Sequence, residues 1–454
     1  MSSRPARLGA LSRTPARASA ALALSALGVA AFAGPSASAQ PRAHAMAGKT
    51  IDITWWESHQ GKTNPVAITL LKLVDQFNAS QADVHVDVTE TSGSVKGLAA
   101  AQAGHPPVLA AISHYDGAFR HGGLIVNQAS LINGPNGWSR SQVADFYPAI
   151  WENGRVPQVA TGNAADYRVP FSAKVEELFY NTAMFKRAGI TGCPATWTAL
   201  GADLVKLKVP GVVPMGFKDA SAHIESAFIS NGVSLIALGS NGRATAYDTK
   251  AGTRTFSQFR QWYSQKLFVF DHGADMRAAI ASKKMAIEDG TSAGWVKVRT
   301  EAAANGVTVG ACPYPAGTSG HPGNIVQGLA FAIFTHDTSA QQEAALDFEQ
   351  YWDSPKVQAL WSVGSGFAPT VRSATPLIPS SYLDGPAGQG LKASIGILAS
   401  PYTQPRGQSD AYAEVDQAVD SAFFKAVTGA QPVTAALAHL DKVDAGYLSD
   451  KAQI

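Results

Sequence analysis

Two cysteines, Cys193 and Cys312, stand in a chain of 454 residues. That is too few for a disulfide scaffold or a thiolate zinc site. The 11 histidines are scattered and no H-E-x-x-H occurs, so no metal centre is expected. No G-x-G-x-x-G or P-loop follows a strand, which leaves nucleotide binding without support. Neither sign of charge dominates, so nucleic acid and anionic membranes are not indicated as partners. Fixed-period repeats and extended polar linkers, which an adhesion or scaffold module would show, are also missing. After residue 39 no apolar run approaches the roughly 20 residues a membrane-spanning helix needs.

What the first 39 residues do contain is Arg4, Arg7, Arg13 and Arg17, an apolar run from Ala18 to Gly34, and Ala37-Ser38-Ala39. This is the order of a secretory signal peptide with a small-x-small cleavage site. Cleavage there leaves 415 residues, enough for two domains, and moves the formal charge from +2 to −2. Neither cysteine lies beside the cleavage site, so a free periplasmic protein is expected rather than a lipid-anchored one. An oxidising compartment permits Cys193 and Cys312 to join, and the sequence leaves that open.

Beyond a polar start from Gln40 to Gly48, periodicity sets out an α/β chain. Ile51 to Trp55 reads as a strand, and Pro65 to Asn78 as a helix with Val66, Leu70, Leu73, Val74 and Phe77 on one face. Val84, Val86 and Val88 alternate with polar residues as in a half-buried strand. Strand, helix, strand predicts a parallel unit. Further strands are expected at Val108 to Ile112, Leu178 to Tyr180, Lys284 to Ile287 and, as one long apolar strand, Asn324 to Phe334. Helices are expected at Trp197 to Leu207, Gln341 to Trp352 and Lys356 to Val363. Asn181 is a good N-cap and Gly189 a good C-terminal stop for a short helix between them.

One motif argues for an enzyme. Gly290-Thr291-Ser292-Ala293-Gly294 matches the G-x-S-x-G nucleophile elbow, after a strand and before a helix at Trp295. His121-Gly122-Gly123 is similar to the oxyanion loop of lipases. A secreted α/β-hydrolase (esterase) with Ser292 as nucleophile is therefore the alternative reading. The oxyanion loop would lie 168 residues before the elbow, across a long irregular stretch, which argues against it. Glu176 and Glu177 cannot form a glycosidase pair, because adjacent strand residues point to opposite faces.

A succession of motifs from Ile51 to about Leu448 resembles the family 1 extracellular solute-binding proteins of ABC importers, and among them the glycerol-3-phosphate and sugar binders. Thr54-Trp55-Trp56-Glu57-Ser58 resembles the aromatic first strand. Pro170-Phe171-Ser172 leading to Leu178-Phe179-Tyr180-Asn181 resembles the first crossing between lobes, and Asn324 to Phe334 the second. Pro194-Ala195-Thr196-Trp197 is similar to the "P-x-T-W" helix start, and Lys284 to Ile287 with Thr291-Ser292 to the "A-M" strand and its Ser-rich ligand loop. Gly364 to Pro369 followed by Arg372-Ser373 resembles the "G-Y-L-P" turn.

The resemblance implies a type II-like periplasmic-binding-protein fold of two α/β lobes with ligand between them. Lobe 1 is expected over 40–172 plus about 329–372, and lobe 2 over 173–328 plus about 373–454. It implies a monomer that binds a small molecule (a sugar, polyol phosphate or phosphodiester) without catalysis or cofactor and delivers it to the permease subunits of an ABC importer. By position in the family, Arg406 would pair with a phosphate oxygen, with a solvated loop arginine as the other reading. Ser292 and the backbone of Gly328 match other donors.

Departures put the ligand in doubt. Phe367 replaces the tyrosine of the turn. Ser94 and His114 stand where relatives have a tyrosine and a glutamate, and His223 where they have a tryptophan platform. Ala173-Lys174-Val175 replaces a Ser-rich crossing, and Lys174, if it faces the cleft, favours an anion. Trp56 and His59 could hold a sugar-like body, and Tyr115 and Trp295 are further candidates. Core packing or solvent exposure is the plainer reading for each.

Overall fold

The computed structural model describes residues 50–112, 119, 122–157, 164–166, 168–218, 220–233, 247–270, 273–317, 320, 322–406 and 412–451, so the leader expected over residues 1–39 lies outside it. No helix among the described residues is long and apolar enough to cross a membrane. Along the chain come β1 (Ile51–Glu57), β2 (Val84–Glu90), β3 (Leu109–Ile112), β4 (Arg155–Pro157), β5 (Ala164–Asp166), β6 (Val169–Pro170), β7 (Glu176–Asn181), β8 (Val213–Phe217), β9 (Phe268–Phe270), β10 (Met285–Thr291), β11 (Val309–Pro313), β12 (Asn324–Val326), β13 (Ala330–Ile333) and β14 (Thr403–Pro405).

Two five-stranded sheets follow one plan. The first has the order β2-β1-β3-β13-β6 and the second, read the same way, β9-β8-β10-β7-β11. In each, three strands run parallel and the fourth is reversed against them. That fourth strand has come across from the other lobe. β7 follows β6 of the first sheet, and β13 follows β11 of the second by way of β12. The fold is thus two α/β lobes joined by crossing segments.

Local chemistry explains the elements. The helix Pro65–Ser80 starts with Pro at its first turn and Asn64 accepting from the Val66 N–H. It buries the five apolar residues expected and links β1 to β2, which pair in parallel from Ile51 opposite Val84. Asn181 caps the helix Thr182–Arg187 by accepting from the Met184 N–H. Gly189 ends it with φ +68°, a conformation only glycine takes without strain.

The second crossing differs from the single strand expected over Asn324 to Phe334. It is broken into β12, which pairs with β14, and β13, which joins the first sheet. The break falls at Gly328, where a Cβ would lie 1.9 Å from the Ser172 carbonyl oxygen. The two crossings pass so closely there that the chain changes ladder partners. Leu329 donates to Ser172 Oγ at 3.2 Å beside it.

Each sheet has its own core. Around the first, Trp55, Phe171, Phe331, Phe348, Trp352 and Trp361 pack as one aromatic cluster. Around the second, Trp197, Phe217, Phe228, Phe256, Phe259 and Phe423 do the same. Ala374, Ile378 and Leu391, from a stretch expected with the second lobe, are buried with the first cluster, while Ser394 of the helix Gln389–Ala399 reaches β7. A smaller cluster of Tyr147, Ile150, Ala173, Val175, Val326, Ala368 and Leu398 sits on the crossings themselves. Cys193 and Cys312 form a disulfide in the second lobe, closing a sequence separation of 119 residues.

Candidate functional site

In open α/β sheets, ligands bind beyond the carboxyl ends of the parallel strands. The shared plan of the two lobes makes the segments after β1 and β3 equivalent to those after β8 and β10. Residues 113–118, which follow β3, lie outside the described residues, and with them the candidates His114 and Tyr115.

After β1, Glu57 is buried and fixes His59 twice. Its carboxylate accepts from the His59 backbone N–H at 2.6 Å and contacts Nδ1 at 2.5 Å. The half-buried ring of His59 stands edge-on to Phe367, with centroids 5.5 Å apart at 87°. Phe367 in turn stacks on Trp361. A carboxylate on one ring nitrogen fixes the orientation of the ring.

Phe367 adjoins Ala368, whose N–H donates to Ala173 on the first crossing at 3.0 Å. Next in line, Lys174 exchanges backbone hydrogen bonds with Gln327 at 2.7 and 2.9 Å. Its side chain is half-buried. Burial draws its ammonium down to about 8, the neighbouring charge of Lys218 adds to this, Glu176 opposes it and Arg406 adds a little. Lys218 is the first residue after β8, and its N–H donates to Asp289 Oδ2 at 3.1 Å.

Glu176 is fully buried beneath this row. It accepts from Ser226 Oγ at 3.0 Å and from Gln327 Nε2. Burial raises its carboxyl against the pull of His223, Gln327, Ser226 and Lys174. Asn324 clamps the same residue through its backbone, with bonds of 3.0 and 3.1 Å. Glu177 faces the other way, as strand geometry requires, and accepts from Ser394 Oγ at 2.6 Å.

The second carboxylate oxygen of Glu177 has no hydrogen-bond partner, and burial holds its carboxyl well above the ordinary range. A raised folded-state value means the native state holds the proton longer than the unfolded chain, so this group lowers stability as pH rises above about 4.3. Glu177→Gln, which keeps an acceptor for Ser394, is therefore expected to melt higher than the parent at pH 8, with the gap closing toward pH 4.5. A lower melting temperature at pH 8 would contradict it.

The remaining candidates divide. Ser292 is fully buried. Its N–H donates to the Val175 carbonyl at 2.9 Å and its Oγ accepts from the Val175 N–H at 3.3 Å. It fastens the end of β10 to the first crossing, a structural role that accounts for this serine. Gly122 and Gly123 precede Ile125, which bridges Phe334 beside the first sheet, so the two pieces of the hydrolase motif belong to different sheets. Trp295 is buried, donates to the Ala387 carbonyl at 2.8 Å, and packs under Gly390.

Trp56 is half-buried against the cluster containing Phe119 and Phe334. Ser94 stands at the start of the helix Val95–Gln102. His223 is only 1% exposed, with Nδ1 at 2.9 Å from Asp289 Oδ2 and 3.2 Å from the Tyr314 hydroxyl. No ring face is left open as a platform.

Arg406 is also buried. Its Nη2 donates to Asp416 Oδ1 at 2.8 Å and Ser221 Oγ at 2.6 Å, and its Nε lies 3.4 Å from Glu225. The guanidinium expected to hold a ligand phosphate is committed to two carboxylates. Sequence reading did not single out Lys218, Gln327 or Glu57. For Lys218, its place directly after an apolar strand was the available signal.

Residues 72–384 match the family model of bacterial extracellular solute-binding proteins. The sn-glycerol-3-phosphate-binding periplasmic protein UgpB of Pectobacterium atrosepticum is 23% identical over 342 residues, 72% of this chain and 74% of that protein. UgpB of Yersinia pestis is 24% identical over 362 residues, 74% of this chain and 77% of that protein.

Among solved structures, the cyclic alpha-maltosyl-1,6-maltose binding protein of Arthrobacter globiformis superposes with a TM-score of 0.75 at 18% identity, covering 88% of this chain and all of that one. UgpB of Mycobacterium tuberculosis in complex with glycerophosphocholine gives 0.71 at 17% identity, covering 88% and 99%. These superpositions agree with the two-lobed fold. The family match spans more than half the chain, and the protein belongs to the bacterial extracellular solute-binding proteins.

Proposed function

We infer that this protein is the solute-binding component of an ABC importer. It captures a sugar or a glycerol-phosphate-type compound between its lobes in the periplasm and passes it to the transmembrane permease, acting as a monomer after its leader is removed. The observation that carries the reading is the pair of identically ordered sheets linked by crossing segments. Such a frame lets one ligand contact both lobes, and those contacts favour a closed form over an open one. No bond has to be broken.

Relatives named for sn-glycerol 3-phosphate and for maltosyl ligands support the two ligand classes. A disulfide among the few cysteines supports an oxidising compartment. Within the cleft the ligand-facing groups are His59 beside the first sheet (backed by the buried Phe367), Lys174 and Gln327 on the crossings, and Lys218 after β8.

A ligand that binds only the native state stabilises it by about 2.7 kcal/mol at one hundred times its dissociation constant. The melting temperature is therefore expected to rise with sn-glycerol 3-phosphate, glycerophosphocholine or maltose, measured by calorimetry. No rise with any of the three would remove these ligand classes.

A further inference from the structure

Lys174 and Lys218 stand on different elements, at the ends of the second sheet's strands and on the first crossing. One stands on the first crossing, beside its bridge to Gln327, and the other follows β8 directly. Both side chains are half-buried. Among the described residues, no carboxylate, carbonyl or hydroxyl lies within hydrogen-bond distance of either ammonium. The charged groups felt by Lys174 are Lys218, Glu176 and Arg406; Lys218 also feels Glu288 of β10, whose burial holds its carboxyl well above the ordinary range and toward the neutral acid.

None of these neutralises the pair. Arg406 is another cation, already balanced by Asp416 and Glu225. Glu176 is held through both oxygens by Ser226 and Gln327, and its burial favours the neutral acid. Asp289 lies behind Lys218 but accepts from the Lys218 backbone, and its carboxylate is shared with His223 and Tyr314. Two like charges partly withdrawn from water, beside carboxyls whose burial favours the neutral acid, are unfavourable. An oxyanion accepting from both would offset that cost.

We propose that Lys174 and Lys218 together form a dicationic subsite of the cleft that takes the phosphate group of the ligand. The proposal rests on the chain being an importer's solute-binding protein and narrows its ligand to a phosphate ester. It has a pH signature. A bound anion raises the Lys174 ammonium above its free value of about 8, so binding near pH 8.5 takes up a proton. Affinity is highest below pH 8 and falls as pH rises through the bound-state value.

Isothermal titration of the purified protein with sn-glycerol 3-phosphate, glycerophosphocholine, inorganic phosphate and maltose tests this, each in two buffers of different ionisation enthalpy at pH 8.5. The expected result is binding of a phosphate-bearing probe with proton uptake. Lys174→Gln and Lys218→Gln should each lose at least ten-fold in affinity, and Lys174→Gln should also lose the uptake. Unliganded melting temperatures of both variants should be no lower than the parent's, which separates a lost contact from a lost fold.

The monoester, diester and inorganic arms tell which phosphate chemistry is recognised. Phosphate probes that bind both variants as tightly as the parent would overturn the subsite and leave the importer reading intact. So would binding of maltose alone. Binding of none of the probes would overturn the functional reading and the subsite with it.

Discussion

Arg406→Met should lower the stability of the unliganded protein by about 3–5 kcal/mol, because it strips the counter-charge from two buried carboxylates. Asp416 and Glu225 come from the helices Tyr412–Thr428 and Ser221–Ser230, and the same arginine also bonds Ser221. Its backbone N–H is given to Asn153 at 3.1 Å, on the helix Pro148–Asn153. One residue thus ties three helices to the end of β14. Adding Glu225→Gln and Asp416→Asn to Arg406→Met should return part of the loss, since the uncompensated charges are then gone.

This expectation differs in kind from that of a ligand-gripping arginine. An arginine that reached into the cleft would, when removed, abolish the ligand-induced rise in melting temperature and leave the unliganded protein nearly unchanged. Urea melts of parent and variant without ligand decide between the two. An unchanged midpoint, together with a lost ligand response, would return Arg406 to the cleft.

The second large effect concerns Cys193 and Cys312. Their bridge spans 119 residues, and in the chain-entropy account a loop of that order contributes about 5 kcal/mol by restricting the unfolded chain. The Cys193→Ser/Cys312→Ser double variant, or the parent in reductant, should show the transition of the second lobe shifted to markedly lower urea. Reductant should leave the double variant unaffected. If the parent with both thiols shown free melts like the oxidised protein, the bridge contributes nothing to stability.

Local features of the fold were legible in the sequence because local physics sets them. The helix Trp197–Leu207 begins at its Thr196 cap and runs over the residues expected. The helix Thr182–Arg187 stops where Gly189 takes a positive φ. The β1–helix–β2 unit follows from periodicity alone, and the opposite facing of Glu176 and Glu177 follows from the pleat.

Where two distant segments meet, the sequence was silent. The break in the second crossing depends on the Ser172 carbonyl lying against Gly328, residues 156 positions apart. No propensity scale registers that approach. Ser292 reads as a nucleophile because its five-residue neighbourhood has the right small residues, and it becomes a fastener only when Val175 is brought beside it.

The division between sequence and tertiary structure has one physical root. Sequence by itself determined what depends on near neighbours: the leader pattern, the α/β alternation, the caps, and the ordered motifs that mark the family. Tertiary structure decided the surroundings of the charged groups at the site. Arg406 could have been solvated, ligand-bound or paired, and the two helices that deliver Asp416 and Glu225 settled it. Lys174 and Lys218, 44 residues apart in the chain, acquire their shared field only because β8 ends beside the first crossing. Electrostatic energy depends on distance and burial, and both are properties of the fold rather than of any segment.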